Sequence, residues 1–228
     1  MKKTFIQLLL CTLAFISLST NAFSQEQERG RSEDFNPQLV TQIGELTKRH
    51  QSHRKLSSEL FRKHGLESKK MTQNDELIRE DDRGNRNAAK AIFEKHGYPT
   101  ISTVGAEKSH EFWVIVQNCD MDVDFQLAVL KVTDKLIHKG EADPKDHAYL
   151  SDRVRINLGM KQMYGTQVAF NESKNTYEPY EMNKPEEVDA RRKEMNLEPL
   201  ATYIQKRNKK YDGSIKRKSK SRRLVRKP

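Results

Sequence analysis

Ala106–Cys119 reads AEKSHEFWVIVQNC, and the meaning of its five consecutive apolar residues, Phe112 to Val116, decides the fold class. Such a run is either a strand buried on both faces or a helical turn, apolar all round, at the centre of a core. The flanks choose between them. Ala106 to Glu111 show no strand-like alternation, so the spacing predicts a helix over about 106–119. On that helix Trp113, Val116, Gln117 and Asp120 share a face by spacings of three, four and seven. Gln117 and Asp120 are therefore expected to continue its buried side, where polar groups need partners or a ligand.

Upstream, Asn36-Pro37 is a cap followed by proline, and a long helical pattern runs from there to about Gly65. Leu39, Ile43, Leu46, His50, His53, Ser57, Leu60 and His64 form a heptad seam whose middle is polar. A hydrated or partner-facing seam is expected, which makes residues 39–64 a candidate surface for self-association. His50 and His53 could share a metal by spacing, but no nearby motif supplies further ligands and no metal site is assigned. A second helix is expected from near Met71 to His96, interrupted at Gly84 and ended by Gly97-Tyr98-Pro99. Its stripe Asp75, Arg79, Asp82, Arg86 reads as solvated ion pairs.

Downstream, Asp122 should cap a helix with Val123, Leu127, Leu130 and Ile137 on its inner side. Asp120, Asp122 and Asp124 imitate the start of a calcium loop, but Phe125 stands where glycine is needed and Lys131 where a bidentate glutamate is needed. Asp143-Pro144 opens a further helix to about Leu158. Beyond Gly159 the pattern alternates, predicting strands over Gln162–Phe170 and Thr176–Met182 around a turn at Asn171–Asn175. Lys184-Pro185 and Glu198-Pro199 open two short closing helices. The expectation is a mainly α fold: a helical bundle-like single domain with a small β-hairpin and short C-terminal helices.

Composition bounds the rest. The chain has 228 residues, only 35% hydrophobic and 32% charged, so its core is lean and one moderate domain is the natural reading. Residues 1–24 have the parts of a cleavable export signal: Lys2 and Lys3, an apolar stretch from Phe5 to Leu18, and Ala22-Phe23-Ser24 before Gln25. A periplasmic or extracellular protein is expected. Cys11 lies in mid-stretch, where a lipid-anchored cysteine would not. No other apolar run approaches the roughly 20 residues of a membrane span. Beyond the signal Cys119 is the one cysteine, which excludes a disulfide scaffold and favours burial.

The formal charge of +10 is unevenly placed. Residues 206–228 carry twelve cations against Asp212 alone, a net +11. With Lys2 and Lys3 also set aside, residues 25–205 are left at −3, mildly acidic. The basic tail is expected to be disordered and to make weak, non-specific polyanion contacts; Tyr211 alone interleaves it, where a single-strand reader would carry several aromatics. The domain boundaries follow as a signal over 1–24, a helical extension over 25–70, a helical domain over 71–205 and the tail over 206–228.

From about Met71 to Tyr203 the chain resembles the bacterial family called domain of unknown function 6624. The resemblance rests on Asp75-xxx-Arg79, Asp82-xx-Asn85, Gly97-Tyr98-Pro99, Trp113-xxx-Gln117, Asp120, Phe125-Gln126 and Ala148-Tyr149-Leu150-x-Asp152-Arg153-Val154. It continues through Gly159-xx-Gln162-x-Tyr164-Gly165-Thr166-Gln167, Val188-Asp189-x-Arg191-Arg192 and Pro199-Leu200-xx-Tyr203. It implies a helical fold and no established activity. The helix before Met71 and the basic tail lie outside these motifs. Relatives commonly have His-Ala-Asp where this chain has Asn118-Cys119-Asp120, and Asn118 cannot take a proton near neutral pH.

These motifs supply the candidate site. Asp82, Asp120 and Asp152 are the available acids for acid–base chemistry, provided burial raises a carboxyl pKa. Arg79, Asn85, Gln117, Gln126, Arg153, Gln162, Tyr164, Thr166 and Gln167 are the candidate ligand-binding groups, with side chains suited to a sugar, a nucleoside or a peptide-like ligand. No phosphate loop, His-Glu-xx-His element or Gly-x-Ser-x-Gly elbow occurs, and no cofactor is called for. Three readings stay open: a polar-ligand binder, a hydrolase using aspartates, and a structural network without chemistry. The first two require the amides and acids to converge on one cleft between the central helices and the hairpin.

Overall fold

The structure is a computed structural model and describes residues 33–65 and 67–209. The expected export signal and most of the basic tail lie outside the described residues. The fold is mainly α, with one small antiparallel hairpin. Helix α1 (Pro37–His64) starts at Asn36, whose side chain accepts from the Leu39 amide, and closes at Gly65. Helix α2 (Lys69–His96) is capped by Ser68 and returns along α1. A short α3 (Ile101–Val104) leads into α4 (Ala106–Gln117), then α5 (Val123–Ile137) and α6 (Pro144–Asn157).

The run Phe112 to Val116 is helical and central. Phe112, Trp113, Ile115 and Val116 are buried among Leu39, Ile43 and Leu46 of α1, Ala89 and Ile92 of α2, Phe125 and Val129 of α5 and Leu150 and Val154 of α6. A helix apolar on every side is stable where neighbours cover every side, and here α1, α2 and α6 all pack against α4.

Three details depart from the sequence expectations. Gly84 does not interrupt α2. A lone glycine costs a helix about 1 kcal/mol relative to alanine, a small term in a 28-residue helix packed along its length. A Cβ at this position would stand 3.4 Å from Arg49 Nη1, an ordinary van der Waals contact. On α5 Val123, Leu130 and Ile137 pack half-buried against the core as expected, but Leu127 is exposed, and the fully buried positions are Phe125, Gln126, Val129 and Thr133. That helix carries apolar residues on several faces, and periodicity alone could not choose among them. Finally, the heptad seam meets the chain itself: Leu39, Ile43 and Leu46 are in the core, and Asn74 of α2 donates to Ser57 Oγ at 2.8 Å and to the His53 carbonyl at 3.1 Å. The seam from Leu39 to Ser57 is thereby occupied within the chain, while Leu60 is half-buried and His64 exposed.

After α6 the strands are shorter than the alternation suggested. Val168–Asn171 (β1) pairs with Thr176–Pro179 (β2), Val168 opposite Pro179 and Asn171 opposite Thr176. Gln162 and Met182 form an isolated parallel bridge, and residues 163–167 between are a loop. A 3-10 turn (Pro185–Glu187) precedes α7 (Val188–Glu194), and a last helix, α8, occupies residues 200–209. Lys206, Arg207 and Lys209 thus belong to a helix, with Asn208 bonded to both backbone groups of Tyr177. No helix among the described residues is long and apolar enough to cross a membrane.

Candidate functional site

The contacts of the candidate residues divide them into three groups, not one. The first belongs to the α1–α2 interface. Asp82 accepts from Arg54 Nη2 at 2.7 Å, with His50 Nδ1 3.7 Å from its other oxygen. Asn85 is buried, donating to the Leu46 carbonyl at 3.3 Å and accepting from Arg49 at 3.5 Å. Arg79 is exposed on the same helix. Burial pushes the Asp82 carboxyl up, but the facing Arg54 and His50 outweigh it, and the group lies below its usual value.

The second group encloses Asp152, which is fully buried on α6. Its Oδ1 accepts from the amides of Met163 (2.7 Å) and Tyr164 (3.0 Å), and its Oδ2 from the amide and hydroxyl of Thr166, both at 2.9 Å. A carboxylate so surrounded uses its lone pairs on a single loop, and such charge-assisted bonds are the strong ones. Gln162, also fully buried, donates to the carbonyls of Gln167 (3.1 Å) and Tyr180 (2.8 Å) and accepts the Gln167 amide at 3.0 Å. Gln167 donates to Thr166 Oγ1 at 3.1 Å and reaches the Tyr149 carbonyl at 3.5 Å.

Loop carbonyls are held from outside as well. Arg191 binds that of Met163 at 2.8 Å, Arg192 that of Tyr164 at 2.6 Å, and the Tyr203 hydroxyl that of Thr166 at 2.8 Å. Gly165 completes the turn. Its φ of +68° suits glycine, and a Cβ there would come within 2.8 Å of Leu200 and 3.0 Å of Met182.

The third group lies along α4 and α6, which run parallel with cross-contacts in register. Asp120 and Arg153 form a two-pronged ion pair, Nε to Oδ1 at 2.7 Å and Nη2 to Oδ2 at 2.5 Å, and Asn157 adds a bond to Oδ1 at 3.0 Å. This end is open: the side chains of Arg153 and Asp120 are 30% and 40% exposed, and Gln117 is half-buried. Asp120 and Gln117 therefore sit at the rim of the helix interface and not in the core. Gln126 backs them from α5, fully buried, donating to the carbonyls of Val116 and Gln117 while its Oε1 has no protein partner.

Burial raises the Asp120 carboxyl, but Arg153, Asn157 and Gln126 bring it below its ordinary value. The rise that acid catalysis by Asp82 or Asp120 would need is thus absent at both. Asn118, at the histidine position of relatives, donates to the Val114 carbonyl at 2.7 Å and finishes the helix. Cys119 beside it is buried, which pushes its thiol up to about 12 and leaves it unreactive.

Further toward the N-terminal ends of the same helices, Trp113 meets Tyr149 edge to face at 6.4 Å, and His110 Nδ1 lies 2.8 Å and 3.0 Å from the two oxygens of Asp146. Sequence reasoning missed this last pair. The signal was faint: a histidine three residues before Trp113, and an aspartate three residues after the capping Asp143, a position that reads as helix-start chemistry. Asp146 is the carboxyl that burial does lift, to about 6, with His110 opposing the rise.

A recess at the α1–α2 turn is lined by His64, Gly65, Glu67 and Ser68 and includes none of the predicted site residues.

A parallel helix pair clamped to a buried polar loop, on a lean helical core, defines a small mainly helical domain with amides and acids placed at fixed points. The chain belongs to the family of unknown function DUF6624, whose family model matches residues 37–216. That span begins at α1, so the helix set apart as an extension belongs to the family domain, as its burial against α2 and α4 requires, and the match also runs into the basic tail. No curated protein and no solved structure matches the chain.

Proposed function

We propose that this is an exported protein that binds a small polar ligand, of sugar, nucleoside or peptide-like chemistry, at the open edge formed by Gln117, Asp120, Arg153 and Asn157. One observation carries the reading. The Asp120–Arg153 pair is part-exposed, at 40% and 30%, beside the half-buried Gln117 amide, and the buried Oε1 of Gln126 behind it has no hydrogen-bond partner. Asp120 occupies two N–H groups of Arg153, and the guanidinium has five, so donors remain for a ligand oxygen. Gln117 adds an amide with donors and acceptors of its own. Asp152, Gln162, Tyr164, Thr166 and Gln167 then act at one remove, by holding the loop that braces α6.

Export rests on the signal in residues 1–24, and weak polyanion contact on the basic tail. The ligand reading is tested by ligand-observed NMR with a panel of N-acetylated sugars, nucleosides and dipeptides. Saturation transfer to one class, lost in Arg153→Met with the fold intact, is the expected result; no transfer to any class overturns the reading. Export is tested by the mass of the secreted product, which should begin at Gln25.

A further inference from the structure

A second place on the α4–α6 pair has chemistry of its own. His110 is exposed, its side chain at 54%, while the Asp146 side chain that holds it is at 9%. The imidazole is fixed twice. Its Nδ1 meets both carboxylate oxygens, and its ring stacks on Trp113 at 5.1 Å with planes 26° apart. Trp113 in turn is locked in the core against Tyr149. With Asp146 ionised, the Nδ1 proton lies between the two residues, so Nε2 carries the lone pair. A base in a set tautomer, oriented by a buried carboxylate on one side and open to solvent on the other, is how proton-abstracting histidines are arranged.

We propose that His110 and Asp146 form a catalytic dyad in which His110 is a general base for water attacking an activated carboxylic ester, and Asp146 is its positioning residue. The class of substrate follows from what the site supplies. The polar partner of His110 is Asp146 and its ring partner is Trp113, so the dyad offers one base and no side-chain nucleophile. A lone base is sufficient where the carbonyl already bears a good leaving group. As the water oxygen bonds to the acyl carbon, one water proton passes to Nε2. The ester C–O bond then breaks, the departing oxygen takes that proton, and neutral imidazole is restored beside a free carboxylic acid.

Other charges face the pair. Asp143 and Lys145 stand beside Asp146 at the start of α6, and the Tyr98 hydroxyl is directed to the Ser109 carbonyl behind α4. A structural reading of the same contact would have the pair serve only to pin α4 to α6.

The test uses the full chain and p-nitrophenyl acetate. Wild type should hydrolyse it, and His110→Gln, at an exposed position, should lose at least about tenfold of the rate. His96→Gln and His138→Gln should leave it unchanged. Nitrogen NMR at pH 8 should show Nε2 of His110 unprotonated, and Asp146→Asn should abolish that preference. Hydrolysis equal in wild type and His110→Gln, equal losses at all three histidines, or a lone pair found on Nδ1 would each overturn the dyad. None of these results depends on the ligand edge at Asp120.

Discussion

Two aspartates six residues apart on α6 make opposite use of a carboxylate. Asp152 faces inward and is fully buried, and its oxygens accept from three backbone amides and a hydroxyl of one loop. Asp146, nearly as hidden, gives its oxygens to a single exposed imidazole. The first arrangement is closed. Its donors and acceptors satisfy one another, and it holds residues 163–166 in a shape that the surrounding arginines and Tyr203 reinforce. The second leaves one group, the outer nitrogen of His110, turned to solvent. Asp120 stands between these extremes, paired with Arg153 but at an open edge. Acidic residues of one chain thus divide into those that build the frame and those that it presents, and between the two buried ones, Asp152 and Asp146, it is the exposure of the partner that differs.

The largest effect should come from breaking the closed network. Asp152→Ala strands the amides of Met163, Tyr164 and Thr166, each costing about 1–3 kcal/mol when buried without a partner. A loss on the order of 4 kcal/mol is expected by urea denaturation, enough to prevent folding of a marginal domain. A loss under about 1 kcal/mol would place Asp152 with the presented groups. Next comes Gly165→Ala, which must fit a methyl group 2.8 Å from Leu200 at a positive φ, and should cost about 1–3 kcal/mol by the same measurement. Smaller still is Asp120→Asn. Its ion pair is part-exposed, such pairs contribute about 0–1 kcal/mol, and the melting temperature should fall by a few degrees or less while ligand transfer in NMR is lost. A large stability loss there would make Asp120 another frame residue.

The frame was more legible in the sequence than what it presents. Asn36-Pro37, Asp122 and Asp143-Pro144 mark helix starts because a cap is local chemistry, and all three cap as expected. Phe112 to Val116 marks the core because an apolar run has few places to go. The convergence of polar motif residues was not legible, since nothing local says whether a glutamine's partner is a ligand or a carbonyl twenty residues away. Gln162 looks like a binding group in sequence and is consumed by the backbone of Gln167 and Tyr180. The reverse error hid His110. Its orienting carboxylate lies 36 residues on, in another helix, and no spacing rule links them. Leu127 of α5 was misplaced for a simpler reason, that a helix apolar on several sides has no single stripe.

The finest distinction between the two kinds of carboxylate is their opposite dependence on pH. Asp120 has a folded pKa below its unfolded value of about 3.9, so it adds stability above that value and loses it as the pH falls through the folded one. Asp146 is raised to about 6, so its contribution is fully present below about 3.9 and is lost as the pH rises through about 6. Melting temperatures of wild type, Asp120→Asn and Asp146→Asn between pH 3 and 8 should therefore diverge in opposite directions. Relative to Asp146→Asn, wild type should lose stability from about pH 4 to pH 6 and then run parallel to it. Relative to Asp120→Asn, it should lose stability below about pH 4 and nowhere else. Parallel curves for wild type and Asp146→Asn across pH 4–6 would mean that water reaches the Asp146 carboxylate freely, and the contrast between a buried orienting group and an edge ion pair would disappear.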